Sequence, residues 1–146
     1  EAEAADRPFV TLDPLVRVKH QLVSGGKGRD KEVNIKEVLS RYRLKEEVGR
    51  LFPFQLSGGM ARRVLVATAV TGDAQLIIAD EPTGNLDPET AWGIMQIFEE
   101  INNQGTTIIM ATHNSSIVNT LKHRVVALEN GRIVRDDERG EYGYEA

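Results

Sequence analysis

Leu76-Ile77-Ile78-Ala79-Asp80-Glu81-Pro82-Thr83-Gly84-Asn85-Leu86-Asp87-Pro88 is the stretch whose reading decides the fold. It opens on an unbroken apolar run and closes on two carboxylates, the pattern of a buried parallel strand. Ligands of open parallel sheets bind beyond the carboxyl ends of strands. At that position Asp80 can hold Mg²⁺ through oxygen contacts. Glu81, one residue on, can polarise an attacking water as general base. Read alone, the pair is equally well explained as a solvated acidic loop. Asp87 then caps a helix predicted over 88–102, with Pro88 at its first position and Ile94, Ile97, Phe98 and Ile101 among its apolar residues. Gly105 stops it.

Downstream, Thr106-Thr107-Ile108-Ile109-Met110-Ala111 reads as a second buried strand and 115–121 as a short helix. A hairpin is predicted from 124–129 and 132–135, because Asn130-Gly131 tolerates the positive φ values of a type I′ turn. Strand, helix, strand, helix, strand is α/β grammar. The end, 137–146, is a polar tail.

Upstream the character is helical. A helix is expected over 12–22, opened by Asp13-Pro14, with Leu15, Val18 and Leu22 on one face. Ser24-Gly25-Gly26-Lys27-Gly28 is a glycine-rich connection. Residues 31–43 follow as a helix whose apolar face holds Val33, Ile35, Val38, Leu39 and Tyr42. A short segment over 45–51 is broken by Phe52-Pro53-Phe54. The chain thus divides into a tail over 1–11, a helical subdomain over 12–70, a core portion over 71–136 and the polar tail. Glu1-Ala2-Glu3-Ala4-Ala5 fits either a native acidic stretch or the scar of a secretion leader.

Bulk properties narrow the function. A chain of 146 residues is one domain or a piece of one. Its net charge of -4 argues against a protein built to grip nucleic-acid phosphates. With no cysteine, disulfides, thiolate nucleophiles and Cys-based zinc sites are excluded, and His20, His113 and His123 lack ligand-like spacing. No apolar run approaches the ~20 residues that cross a bilayer.

Two further features bear on chemistry. In Leu56-Ser57-Gly58-Gly59-Met60, followed by Arg63, Ser57 sits where a helix beginning near Gly58 wants its N-cap. The glycines let backbone N–H groups approach a phosphate at the positive end of that helix. By itself Ser-Gly-Gly is better explained as a capped helix after a turn. His113, beyond the second strand, could contact a phosphate or orient water, though a lone histidine is more often a surface or satisfied core residue.

Taken together, in this order and spacing, these features resemble the ABC-transporter ATPase family from about Thr11 to Arg135. In that likeness Ser57, Gly58 and Gly59 belong to the signature, Asp80 ends Walker B, Glu81 is the catalytic glutamate, Gly84-Asn85-Leu86-Asp87 is the D-loop, and His113 is the switch histidine. The resemblance implies a partial P-loop NTPase fold of the α/β class, with a parallel-sheet core and an α-helical subdomain. It implies ATP and Mg²⁺ as ligands and a head-to-tail dimer with a second ATPase domain. In it Ser57, Gly58 and Gly59 reach a γ-phosphate held by the partner, Asp80 coordinates Mg²⁺, Glu81 activates water, His113 holds the γ-phosphate and Asp87 communicates across the dimer. It also implies a membrane permease as partner and a place at the cytoplasmic face of the cell membrane. Residues 83–146 look most like the cell-division branch of the family, and residues 9–70 more like its peptide- and nickel-importing branches, which raises the idea of a recombinant chain.

The sequence departs from the family in one decisive respect. Nothing fits the Walker A pattern Gly-x4-Gly-Lys-Ser/Thr: Gly25-Gly26-Lys27-Gly28 has Gln21 and Gly28 where the first glycine and the Ser/Thr belong. A clear Q-loop glutamine is also missing, with Asp6 near its place, and Met60 replaces the commoner Gln or Glu. Two readings follow: the C-terminal portion of an ATP-hydrolysing subunit, or a truncated or engineered interaction module without ATPase activity of its own.

Overall fold

The computed structural model describes residues 12, 14, 16–25, 34–71 and 74–143. The chain divides into two compact units, Glu1–Met110 and Ala111–Ala146.

In the first unit, helices α1 (Val18–Gly25), α2 (Ile35–Arg41) and α3 (Gly58–Thr71) gather around an apolar centre, with 3₁₀ turns at Glu46–Arg50 and Pro53–Gln55. Val18, Leu22, Leu39, Val64 and Ala67 are essentially inaccessible to solvent. Each large aliphatic side chain so buried contributes about 1.5–3 kcal/mol. Val18 and Leu22 do share a buried face, as their spacing requires. The helix boundaries, however, differ from the sequence expectation. Helix α1 starts at Val18 because its amide donates to the Leu51 carbonyl (3.0 Å) and the Arg17 guanidinium to the Arg50 carbonyl (2.6 Å). These partners lie far along the chain, so tertiary contact sets the start that Asp13-Pro14 was expected to set. The helix also runs on through Ser24 and Gly25, which were read as a connection. Asp13 and Leu15, like the acidic start 1–5, lie outside the described residues. So do 26–33, with most of the Gly25–Gly28 run and Val33. Helix α2 begins after Asn34, whose side chain accepts from the Glu37 amide (3.2 Å), later than expected.

Strand β1 (Leu76–Asp80), helix α4 (Pro88–Asn103) and strand β2 (Thr107–Ala111) follow, with β1 and β2 paired in a parallel sheet. Helix α4 buries Ala91, Ile94, Met95, Ile97, Phe98 and Ile101, the i, i+3, i+4 stripe of an amphipathic helix. Gly105 ends it at φ +103, a value that suits glycine. The strands are not the fully buried ones expected. Ile77 is buried, but Leu76 is 47% and Ile78 74% exposed in β1, and Ile109 is 55% exposed in β2. An apolar run is compatible with cover on both faces but does not supply it, and in this unit the sheet is covered on one.

The second unit holds α5 (Ser115–Leu121), β3 (Val125–Glu129) and β4 (Arg132–Asp137). Strands β3 and β4 form an antiparallel hairpin, with φ +48 at Asn130 and +75 at Gly131, the turn that Asn-Gly predicts. Residues beyond β4 return along the same unit: Lys122 pairs with Glu141 at 2.6 Å, and the Tyr142 amide donates to Asn119 Oδ1 at 2.6 Å. Among the described residues, no helix is long and apolar enough to cross a membrane.

Candidate functional site

Helix α3 begins as its sequence indicates. The Ser57 hydroxyl accepts the Met60 amide (3.3 Å), and the Ser57 carbonyl accepts the Ala61 amide (2.8 Å). Ser57 and Gly58 are exposed, whereas Gly59 is buried. Gly58 brings no side chain of its own to the helix start, whose first amides have no acceptor within the helix.

Its position is fixed by the turn after β1. A Cβ at Gly58 would lie 3.3 Å from Leu86 Cδ2, and one at Gly59 would lie 2.5 Å from Thr90 Cγ2. The glycines are thus the surface on which Leu86 and the first turn of α4 rest. Alongside them the Arg62 guanidinium donates to the Glu81 carbonyl (3.1 Å) and to the Gly84 carbonyl (3.3 Å). The first unit accordingly brings Ser57, Gly58 and Gly59 against the segment 81–90, which carries Glu81 and Asp87.

Asp80 closes β1 and is exposed; Glu81 is half-buried and has φ +45. That left-handed conformation is costly for a residue with a Cβ and persists where the surroundings impose it. The turn is tightly closed: Gly84 N–H donates to the Glu81 carbonyl (3.0 Å), Leu86 N–H to the Thr83 carbonyl (3.3 Å), and Thr83 is buried. Asn85 is also left-handed, at φ +62. Asp87 caps α4, accepting the Thr90 amide at 2.9 Å. Hydrogen bonds from Thr90, its hydroxyl first, hold the Asp87 carboxyl below its ordinary value.

The two carboxylates suit Mg²⁺ in kind and number. They are hard oxygen donors at an accessible strand end, and no group of three or more candidate ligands occurs among the described residues. Mg²⁺ characteristically takes one or two protein carboxylates and fills its shell with water and substrate phosphates. Asp80 would hold it, with Glu81 beside it.

His113 lies in the second unit, exposed, in the link between β2 and α5. Its backbone is framed by a double cap: the Asn114 amide donates to the Thr112 hydroxyl (3.1 Å), and Asn114 Oδ1 accepts the Ile117 amide (3.2 Å). Thr112 and Asn114 fix the course of the chain on either side of the imidazole.

Arg62 and Thr90 were not legible as site residues. Attention falls on Arg63 in the sequence, whose guanidinium instead lies beside Gly93, 3.1 Å from where a Cβ there would sit. Contacts spanning 19 and 22 residues have no local sequence signal.

Known proteins resemble this chain in sequence and in fold. A family profile described as ABC transporter covers residues 5–84, more than half of the chain. The chain belongs to the ABC transporter family. It is 55% identical over 123 residues to the cell division ATP-binding protein FtsE of Streptococcus pneumoniae, covering 84% of this chain and 53% of that protein. To FtsE of Bacillus subtilis it is 58% identical over 107 residues, 73% of this chain and 46% of the relative. The ABC chain therefore spans about half the length of the curated relatives it matches. Among solved structures it resembles the ATP-binding cassette MJ0796 in a dimeric post-hydrolysis state bound to ADP and Pi, with TM-score 0.74, 26% identity, and 93% of this chain and 62% of that one covered. It also resembles cbiO1 of Clostridium perfringens, part of the ABC transporter complex cbiONQ, with TM-score 0.75, 26% identity, and 88% and 53% covered. The fold is that of these cassettes, a P-loop NTPase fold. The alignment over 123 of 146 residues reaches into both halves of the chain.

Proposed function

We propose that this chain is the C-terminal portion of an ABC-type ATPase that hydrolyses ATP to drive a membrane partner, in the manner of a cell-division ATP-binding protein. The observation that carries the reading is the clasp of the Ser57-Gly58-Gly59 helix start on the turn that bears Glu81. Two motifs that are weak singly are packed together in this chain, which supports reading them as parts of one ATPase domain whose helix start faces the nucleotide of a second domain. Likeness to FtsE favours cell division over solute import.

In this reading the chain's residues divide the work of phosphoryl transfer, which is mostly positioning and electrostatics. Ser57 and the amides of Gly58 and Gly59 bind the γ-phosphate of a nucleotide held by a second ATPase domain, at the positive end of α3. Asp80 holds Mg²⁺, which when bound neutralises phosphate charge. Glu81 takes the proton of the attacking water. His113 contacts the γ-phosphate, and Asp87 answers to the partner domain across the dimer. The helical subdomain, 12–70, couples this cycle to a permease on the cytoplasmic side of the membrane, and the portion 71–136 carries the chemistry.

The test joins residues 12–143 to an ATPase segment that carries the Gly-x4-Gly-Lys-Ser/Thr loop and measures Mg-ATP hydrolysis. Glu81→Gln is expected to lower kcat by about 10²–10⁴. Turnover that survives the substitution would remove Glu81 from the chemistry. A second reading is favoured by one observation: no Gly-x4-Gly-Lys-Ser/Thr occurs within these 146 residues. The 146-residue chain alone is then a non-catalytic signature-bearing module, and its own turnover with Mg-ATP should equal buffer.

A further inference from the structure

We propose that Arg62 is a positioning residue that ties the start of helix α3 to the backbone of Glu81, so that the two move as one body. The inference rests on Glu81 being the general base and concerns what aims it.

The geometry is that of a planar fork across a closed turn. One guanidinium nitrogen of Arg62 donates to the Glu81 carbonyl at 3.1 Å, the other to the Gly84 carbonyl at 3.3 Å. These carbonyls mark the two ends of the turn that Gly84 N–H closes on Glu81 O at 3.0 Å. The Glu81 carbonyl therefore accepts two hydrogen bonds, from Gly84 and from Arg62, and both lone pairs of its oxygen are engaged. Donation from a charged group is stronger than from a neutral one, and two parallel donors fix orientation as well as distance. They act on a residue at φ +45, which is held only by its surroundings.

The polar fork has an apolar counterpart. Leu86 and Thr90 lie so close over Gly58 and Gly59 that a Cβ would fall 3.3 Å and 2.5 Å from them. The α3 start cannot shift toward the turn without collision, nor away without stretching the Arg62 bonds. A load on Ser57–Gly59 is thereby passed to the peptide that orients the Glu81 side chain. Lysine at 62 cannot reproduce this, because one ammonium does not span two carbonyls in a plane.

The test uses the full 146-residue chain, as wild type, Arg62→Lys, Arg62→Ala and Glu81→Gln, followed by NMR with thermal unfolding alongside. In Arg62→Ala the carbonyl ¹³C resonances of Glu81 and Gly84 should both move. The Glu81 Cα shift should leave the left-handed range, and exchange of the Gly84 amide should speed by about tenfold relative to the amides of α4. Arg62→Lys, the milder change, should restore one carbonyl at most. Glu81→Gln should keep the Gly84 carbonyl shift and amide exchange of the wild type, because the Arg62 bonds end on backbone carbonyls. It separates this inference from the catalytic assignment, which the hydrolysis assay tests. Unchanged Glu81 and Gly84 signals in Arg62→Ala and Arg62→Lys would overturn the proposal. So would exchange that rises equally in the turn and in α4, the mark of a merely structural arginine.

Discussion

Gly59 is where a residue-level reading of sequence and of structure part. The sequence offers it as a gap through which a phosphate approaches the backbone. The structure shows a second demand: Thr90 Cγ2 occupies the place its Cβ would need, 2.5 Å away, with Thr90 Cβ next at 3.9 Å. Overpacking of this kind costs about 1–3 kcal/mol. Gly59→Ala should therefore lower stability by that amount in urea denaturation with no nucleotide present. Adding Thr90→Ser removes the colliding methyl and should recover most of the loss. A double variant no more stable than Gly59→Ala would show that packing is not the constraint. Gly58 and Gly59 were legible as the start of a helix capped by Ser57, but Thr90, 31 positions beyond Gly59, was not, because steric exclusion between helices leaves no trace in local spacing.

Helix α4 shows how much an element can state about itself. Its cap, first residue, apolar stripe and terminating glycine all stand in the sequence, and Pro88–Asn103 ends one residue beyond the expected Asn102. The cap carries a pH signature. Thr90 hydrogen bonds hold Asp87 below its ordinary 3.8, so the unfolded chain takes up the proton first on acidification. The cap's contribution is then complete above the unfolded value and lost as pH falls through the lower folded one. Thermal midpoints of wild type and Asp87→Ala should differ most near neutrality and converge in acid. A gap that stays constant through the acid range would deny the cap this role. Helix α1 is the contrasting case. Asp13-Pro14 is a sound local start signal, yet the helix opens at Val18, where the Leu51 carbonyl and the Arg17–Arg50 bond are met. Local signals locate boundaries when the cap partner is three residues away, and lose to tertiary partners when it is not.

At the scale of the molecule, the uncovered sheet is the feature with consequences. Leu76, Ile78 and Ile109 expose large apolar side chains on the paired strands. Apolar surface on a sheet invites association with another chain. Sedimentation of the 146-residue chain should show concentration-dependent self-association. Ile78→Thr with Ile109→Thr, which keeps β-branching while removing apolar surface, should reduce it. Sedimentation unchanged by the pair would place the association elsewhere. The α/β alternation was readable in the sequence because strand-end carboxylates, helix caps and Asn-Gly each have a local physical reason for their residue types, and the family was readable as a resemblance of motifs in their order and spacing. The exposure of the strands was not, since the run Leu76–Ala79 reads the same whether one face or two are covered.

By itself the sequence determined the order of strands and helices, the caps of α3 and α4, and the Asn-Gly hairpin. Those depend on periodicity and on partners a few positions apart. Only the tertiary structure decided where α1 begins, which sheet face is bare, why Gly59 has no room for a side chain, and that Arg62 holds the Glu81 backbone in a left-handed turn. Each of these is a contact between segments remote in the chain, and such contacts exist only once the elements have packed.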